Sequence, residues 1–354
     1  MSFLKAKPSR VIGLHIGGYS SKVVQLRHER ERAVLETYGE LLNEGYLKRR
    51  EAAGGGGMLQ FLDQDIGTLV KDLVRESNVT TVEAICTVPT TAAFITPISF
   101  PRTLEREIPQ AVPYEARKYV PIPIAEVVLE WMILEEAEAK EEIAVLLVAV
   151  PREIVEKFRR MAEIAGLNLR ALEVECFSTV RSLIGQDMSP FGIINLGHQS
   201  TTVTFADRGI VRSVHTLSRG SQELTRALER GLGVGSERAE AMKRDTGLSE
   251  RIEDGEIVSI IAPLAETLFA EIARLVSLYN RGAPRKVQRL NLTGGGAHLK
   301  GIVEFAASNL GLEVTRGNPF SRLVTPPMLS TILTEIGPNF STAIGAALRE
   351  ISMR

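Results

Sequence analysis

Three short apolar runs open the chain, RVIGLHIGG, SKVVQLRHE and AVLETYGELL, each rich in β-branched and aliphatic residues and parted from the next by a few turn residues. That pattern predicts an antiparallel meander. Helical spacing of Phe61, Leu62, Ile66, Leu69, Val70 and Leu73 predicts a helix over FLDQDIGTLVKDLVRES, leading into a strand at EAICTVP. EAAGGGGMLQ, with four successive glycines, reads as a flexible surface insertion, because ordering it would cost too much backbone entropy. From Phe94 to about Val150 a separate small α+β unit is predicted: a strand FITPISFP, a helix from Thr103 toward Tyr119, and strands VVLEWMIL and IAVLLVAVP. Helix REIVEKFRRMAEIAG, strand LRALEVE and a helix through CFSTVRSLIG then return to the first lobe and leave it.

The second half repeats the opening. FGIINLGHQSTTVTFADRGIVRSVHTL is again strand, glycine turn, strand, turn, strand, and both Gly197 and Asn195 lie 180 residues beyond their counterparts Gly17 and His15. Matching hydroxyl residues follow each turn, Ser20 and Ser21 in one copy, Ser200 and Thr201 in the other. A constant offset with the same order of elements points to a duplicated lobe. Behind it, helices are predicted over Ser221 to Leu232, Ser236 to Asp245 and Ile257 to Asn280. RLNLTGGGAHLKGIVEFAASNLG then reads as strand, triple-glycine turn and helix, and STAIGAALREI as the last helix.

Charge removes several partners from consideration. Among 354 residues, 42 Lys and Arg balance 43 Asp and Glu, a net charge of -1, so no bulk excess argues for a nucleic-acid or membrane-surface partner. The two cysteines, Cys86 and Cys176, sit in apolar runs without CxxC spacing, as expected of buried thiols in a reducing compartment. The start MSFLKAKPSR lacks the apolar stretch of a signal peptide, and no window approaches the roughly 18 apolar residues of a membrane span. A soluble, cytoplasmic protein is expected.

A lone Gly-Gly pair at a hairpin is equally explained by a need for positive backbone dihedrals. Three glycine turns in a duplicated fold point elsewhere: two hairpins facing each other across a cleft would offer backbone N–H groups and hydroxyls to β and γ phosphates. Gly294, Gly295 and Gly296, after a strand and before a helix, would let the backbone approach a nucleoside closely.

Together GLHIGGYSSKVVQL, PYEARKYVPIPIAEVVLEWMIL, LGHQSTTVTF, LTGGGAHLKGIVEFAASNLGLEV followed by NPF, and FSTAIGAALR resemble the PilM family of type IV pilus assembly proteins, itself similar to the division protein FtsA. The most specific part is EARKYVPIP in the inserted unit, which generic actin-like ATPases lack. The resemblance implies an actin-like α/β fold. Residues 1–93 and 151–190 would form the first ribonuclease-H-like lobe, 94–150 the insert, and 191–354 the second lobe with a helical subdomain over about 221–285. It implies an ATP site in which Gly17, Gly18, Ser20, Ser21 and Lys22 form the first phosphate loop and Gly197, Ser200 and Thr201 the second, with Asn195 at the strand end. Gly294 to Gly296 would meet the adenosine, and RAEAMKRD would bring Glu240 and Lys243 to the nucleoside. Without the resemblance, those two read as an ordinary i, i+3 surface pair. It also implies a partner: the N-terminal tail of a PilN-like membrane protein, held between the first lobe and the insert, with the apolar side Ala111, Val112, Ala116 and Val120 as a wall, or else packed on the insert's own sheet. Other platform components or motor ATPases would be further partners, and the membrane would be reached only through them.

Two departures bear on chemistry. Actin-like ATPases carry acids at the positions of His15 and Asn195, where they organise magnesium and its waters. Magnesium is a hard cation anchored by carboxylates and phosphates, so weak magnesium binding and slow or absent hydrolysis are expected. Glu175, in EVECFSTV, resembles the surviving acid near the γ-phosphate and is the catalytic candidate; an ordinary strand-end carboxylate is the alternative. No metal-ligand set is predicted, and His15 is expected to act as a hydrogen-bonding residue. His198 in the second loop is either a phosphate donor or an exposed turn residue. A small-molecule kinase or an FtsA-like filament protein are the competing functions.

Overall fold

The computed structural model describes residues 8–47, 61–134, 141–185, 187–249, 251 and 254–351. The glycine-rich insertion EAAGGGGMLQ and the segment Met1 to Lys7 lie outside the described residues. The chain divides into two compact units: Met1–Thr179 with Arg212–Val214 and Thr342–Arg354, and Val180–Val211 with His215–Ser341.

In the first unit β1 (Arg10–Ile16), β2 (Ser20–Glu29) and β3 (Arg32–Leu42) form the expected meander. The turn from β2 to β3 holds Arg30 and Glu31 at positive φ (47° and 63°) without any glycine, the paired left-handed geometry that suits strand twist. Helix α1 (Asp63–Glu76) starts two residues later than the apolar spacing suggested and leaves Leu62 exposed; Ile66, Leu69, Val70 and Leu73 are buried as predicted. Strand β4 (Glu83–Val88) joins β1 in parallel, helix α3 (Arg152–Ala165) packs on α1, β8 (Asn168–Val174) joins β4 in parallel, and α4 spans Glu175–Ile184. The sheet order is β3-β2-β1-β4-β8. Being central, β1 buries residues on both of its faces. Helix α3 also buries Lys157, whose Nζ donates to the Phe61 carbonyl and to Asp63 Oδ1, each at 2.6 Å.

The insert is a three-stranded antiparallel sheet ordered β5-β7-β6, from β5 (Phe94–Pro101), β6 (Val127–Leu134) and β7 (Glu142–Pro151). The single helix expected from Thr103 toward Tyr119 is instead a 3-10 turn at Arg102–Glu107, a short α2 (Ile108–Glu115) and another 3-10 turn at Ala116–Lys118. Pro113 lies inside α2 and gives it no amide N–H, and the α-helix ends two residues later.

The second unit repeats the plan. β9 (Phe191–Leu196), β10 (Thr201–Asp207), β11 (Ile210–Leu217), β12 (Arg289–Thr293) and β13 (Glu313–Arg316) are ordered β11-β10-β9-β12-β13, with β9 antiparallel to β10 and parallel to β12. Registers coincide: Gly13 faces Ile85 as Ile193 faces Asn291, so Thr87 in the first copy corresponds to Thr293 in the second. Helices α5 (Ser221–Leu232), α6 (Ser236–Thr246) and the long α7 (Gly255–Gly282) pack beside this sheet around Phe205, Phe269 and Leu228, followed by α8 (Ile302–Leu310). Helix α9 (Ser330–Leu348) begins eleven residues before the predicted last helix. Its early turns expose Thr331, Ile332, Thr334 and Glu335 and carry Pro338, but on the other side they bury Leu333 and Phe340, with half-buried Ile336 between them at helical spacing.

In α9 a Cβ at Gly345 would overlap the Ser178 carbonyl of α4, so only glycine allows this helix crossing. Gly345→Ala should therefore cost about 1–3 kcal/mol or more in chemical denaturation. By contrast Gly282→Ala, with open space at its Cβ position in the last turn of α7, should be neutral or stabilise by up to about 1 kcal/mol.

Candidate functional site

Strand β1 delivers Gly17 and Gly18 to the turn before β2. Gly17 N–H donates to Ser20 O at 3.2 Å, and a Cβ on Gly17 would stand 2.7 Å from that same oxygen. Gly17 is thus required by close approach and not by a positive dihedral, which it does not have. Beyond the turn the polar side chains are satisfied internally. Ser20 Oγ donates to Glu40 Oε1 at 2.6 Å, and Ser21 Oγ donates to Asn43 Oδ1 at 2.8 Å. Asn43 Nδ2 in turn donates to Gly17 O at 2.8 Å, tying the end of β3 to the turn. Lys22 Nζ donates to Ser20 Oγ at 2.7 Å and lies 3.4 Å from Glu40. Burial holds its pKa below the ordinary lysine value despite Glu40. Glu40 and Asn43 were missed from sequence; the only signal was a polar residue at each end of the ELLN segment.

His15, opposite Lys22 in the β1–β2 register, points toward β4 and α4. Its Nδ1 lies 3.3 Å from Thr87 Oγ1 and 3.2 Å from Glu175 Oε1. Thr87 spends its hydroxyl proton on Leu14 O, at 3.2 Å, so Nδ1 is the donor toward Glu175 and Thr87. Nε2 lies 3.1 Å from the place of a Gly17 Cβ, and so faces the turn. Glu175 is the first residue of α4, not the end of a strand, and its Oε2 accepts the Thr90 N–H at 3.3 Å. An acid near the turn therefore exists, already engaged by an imidazole. The two cysteines flank this region, both free and buried; burial pushes the Cys86 thiol up to about 12 and Cys176 higher still.

The second unit builds its turn by the same rule. Gly197 N–H donates to Ser200 O at 3.0 Å, and its absent Cβ would again be 2.7 Å from that oxygen. Thr201 is buried, with its hydroxyl donated to Arg219 O at 2.7 Å. Helix α5 starts on this turn: Ser221 N–H donates to Gly197 O and Gln222 N–H to His198 O, both at 2.9 Å. The triple-glycine turn follows β12, where Thr293 pairs with Asn195. Gly294, at φ 80°, leaves no space for a Cβ beside Asn195 Oδ1 and Leu196 O, and Gly296 packs on Leu196. The second and third turns therefore meet at the end of β9.

Glu240 and Lys243, on α6, are not a surface pair. Lys243 is buried, its Nζ donating to Glu240 Oε2 at 2.6 Å, to Thr225 Oγ1 at 2.9 Å and to Ser221 O at 3.3 Å, which links α6 to the start of α5 and hence to the second turn. Burial would raise the Glu240 pKa, but hydrogen bonds from Lys243, Thr225 and Arg244 overcome it and lower it to about 2. Burial dominates at Lys243 and lowers its pKa. Thr225, which joins the two, was not anticipated.

The sequence profile of the family described as Type IV pilus assembly protein PilM matches residues 13–351. The chain belongs to the PilM family. Among curated proteins, cell division protein FtsA of Streptococcus pneumoniae is 25% identical over 189 residues, 48% of this chain and 41% of FtsA. FtsA of Neisseria meningitidis is 27% identical over 214 residues, 54% of this chain and 50% of that one. This chain spans about half the length of these curated relatives. A solved PilM-PilN type IV pilus biogenesis complex superposes with a TM-score of 0.84 at 24% identity, covering 98% of this chain and 99% of that one. Ethanolamine utilization protein EutJ of Carboxydothermus hydrogenoformans (TM-score 0.56, 16% identity, 96% and 90% covered) and MreB 5 of Spiroplasma citri bound to AMPPNP (0.53, 11%, 95% and 94%) share the fold. The PilM-family fold is actin-like. Among the described residues no helix is long and apolar enough to cross a membrane.

Since the folded Glu240 pKa is depressed, its contribution to stability is complete above about pH 4.5 and is lost as pH falls toward about 2. Glu240→Gln should cost about 1–3 kcal/mol at pH 7 and flatten that stretch of the acid-denaturation profile.

Proposed function

We propose that this PilM-family protein works in the cytoplasm at the inner-membrane platform of a type IV pilus or related secretion or DNA-uptake machine. There it captures the N-terminal tail of a PilN-like membrane protein and reaches the membrane only through such partners. The observation that carries this reading is the match to the PilM-PilN complex over 98% of the chain. The insert supplies the surface. Val112, Ala116 and Val120, expected as a groove wall, are fully taken up with partly buried Ala111 in the insert's own core, packed on its sheet. Left outside are Tyr114, Tyr119, Ile122, Met132 and Ile133, exposed between 36% and 68%. β6 is an edge of its sheet, and edge pairing with side-chain pockets is a recurrent way to hold an extended peptide.

The glycine turns support ATP binding, as does the nucleotide analogue held by the actin-like MreB 5. Gly17, Gly18, Ser20, Ser21 and Lys22 serve the phosphates on the first unit, and Gly197, Ser200 and Thr201 on the second. Asn195 replaces a metal-organising acid; Glu240, Lys243 and Gly294 to Gly296 serve the nucleoside. With His15 and Asn195 in place of carboxylates and Glu175 tied to His15, magnesium is held weakly and the phosphoryl group is not placed for attack. ATP acts as a structural ligand that stiffens the protein, and turnover is unnecessary.

Two measurements test the reading. A fluorescent peptide carrying the cytoplasmic tail of the PilN-like partner should bind the purified protein, and Tyr119→Ser with Met132→Ser should weaken it by about tenfold or more while leaving the melting temperature unchanged. Equal binding by the double variant would place the tail elsewhere. His15→Asp combined with Asn195→Asp should make ATP binding strongly magnesium-dependent, by about tenfold for each 1.4 kcal/mol of restored metal interaction.

A further inference from the structure

The two faces of β6 meet different neighbours. Leu129 and Trp131 pack into the insert's core together with residues of α2. Side chains alternate along a strand, so Val128, Glu130 and Met132 lie on the other face. That face is turned toward the first lobe: on β7, Val148 stands opposite Glu130 and Val150 opposite Val128, and both pack against the core of the lobe. The free edge of the sheet therefore presents an apolar, acidic, apolar row on the side of the lobe. Val128 is partly buried, Met132 is 39% exposed and Glu130 is exposed. The Glu130 carboxylate makes no hydrogen bond or ion pair among the described residues. Its surroundings deepen the negative field. Between Phe94 and Val150 the insert has ten acidic and five basic residues, a net charge of -5 in a chain whose total is -1.

We propose that Glu130 chooses the tail by charge: the segment this edge takes is extended and cationic, with a Lys or Arg side chain set against Glu130 and apolar residues two positions away on either side. The inference rests on the tail reading above and adds the chemistry of the partner. A strand added beside β6 brings each of its residues to about 5 Å, Cβ to Cβ, from one on β6, well within reach of a long basic side chain. An opposite charge there is favourable and a like charge is not, so the residue that accepts a basic tail turns an acidic one away. The pair lies at an exposed edge, so it changes affinity only a few-fold and is screened by salt. Backbone pairing and the apolar contacts hold the tail; Glu130 decides which tail is held. A charge on an edge strand also keeps two such edges from pairing, and that role alone would leave tail binding indifferent to the sign of the charge.

Fluorescence anisotropy of the labelled cytoplasmic tail of the PilN-like partner, titrated with the whole purified protein at low and at high salt, tests this. Glu130→Gln should weaken binding about two- to fivefold at low salt and Glu130→Lys about tenfold, the losses shrinking at high salt and the melting temperature unchanged. A tail peptide with every Lys and Arg replaced by Gln should bind the wild type more weakly, and should bind Glu130→Gln no worse than the wild type. Glu105→Lys changes the net charge equally but lies in the turn after β5, the opposite edge strand, and should cost less than Glu130→Lys. Unchanged tail binding in Glu130→Lys, an equal loss with both peptides, or an equal loss in Glu105→Lys would overturn the role of Glu130 while leaving tail capture standing. So would a natural tail that binds and has neither Lys nor Arg. Failure of the wild type to bind the tail would instead remove the tail reading itself, and this inference with it.

Discussion

A single backbone hydrogen bond, made twice, sets the conditions for the rest: Gly17 N–H to Ser20 O in the first unit and Gly197 N–H to Ser200 O in the second. In each, the carbonyl comes so near that a Cβ on the first residue would stand 2.7 Å away. Glycine at the strand end is thus a steric requirement of a tight turn, and the turn decides where the following side chains go. In the first unit Ser20 and Lys22 run to Glu40, and Ser21 to Asn43, so the strand is polar yet fully satisfied. In the second unit the turn's own carbonyls seat the first amides of α5, through which the buried Lys243–Glu240 pair of α6 is linked to the strand end. Polar groups this deep are tolerable because each has a partner.

Against that common frame, the divergence between the copies is chemical. Corresponding strand ends carry His15 and Asn195, neither of which can anchor a hard divalent cation as a carboxylate does. The imidazole is not idle: it takes the oxygen of Glu175 on one side and leaves its other nitrogen toward the Gly17 turn. Both carboxylate oxygens of Glu175 are engaged in structure, Oε1 by the imidazole and Oε2 by the Thr90 N–H.

Much of the fold was legible in sequence because it was written in local pattern. The helices of the second unit and all the strands of both meanders follow apolar periodicity, and the 180-residue offset between His15 and Asn195 announced a repeat that the matching sheet orders bear out. Part of what escaped notice depended on contacts distant in sequence, and part did not. Pro113 sits inside a short α2 where one continuous helix was expected, and the first turns of α9 went unread although Leu333, Ile336 and Phe340 lie at helical spacing. Glu240 and Lys243 looked like surface residues, since nothing local shows that α5 covers them and supplies Thr225. Val112, Ala116 and Val120 were visible as an apolar side, but whether it met a partner or its own sheet could be decided only by folding, and the sheet took it.

The claim on which the account turns is that nucleotide is kept and not consumed. The direct measurement is to load the purified protein with γ-labelled ATP and magnesium, remove free nucleotide by rapid gel filtration, and follow the bound label over an hour. Intact ATP should be recovered with the protein at every time point. Conversion to ADP and free phosphate within seconds, or emergence of the protein without nucleotide, would contradict it.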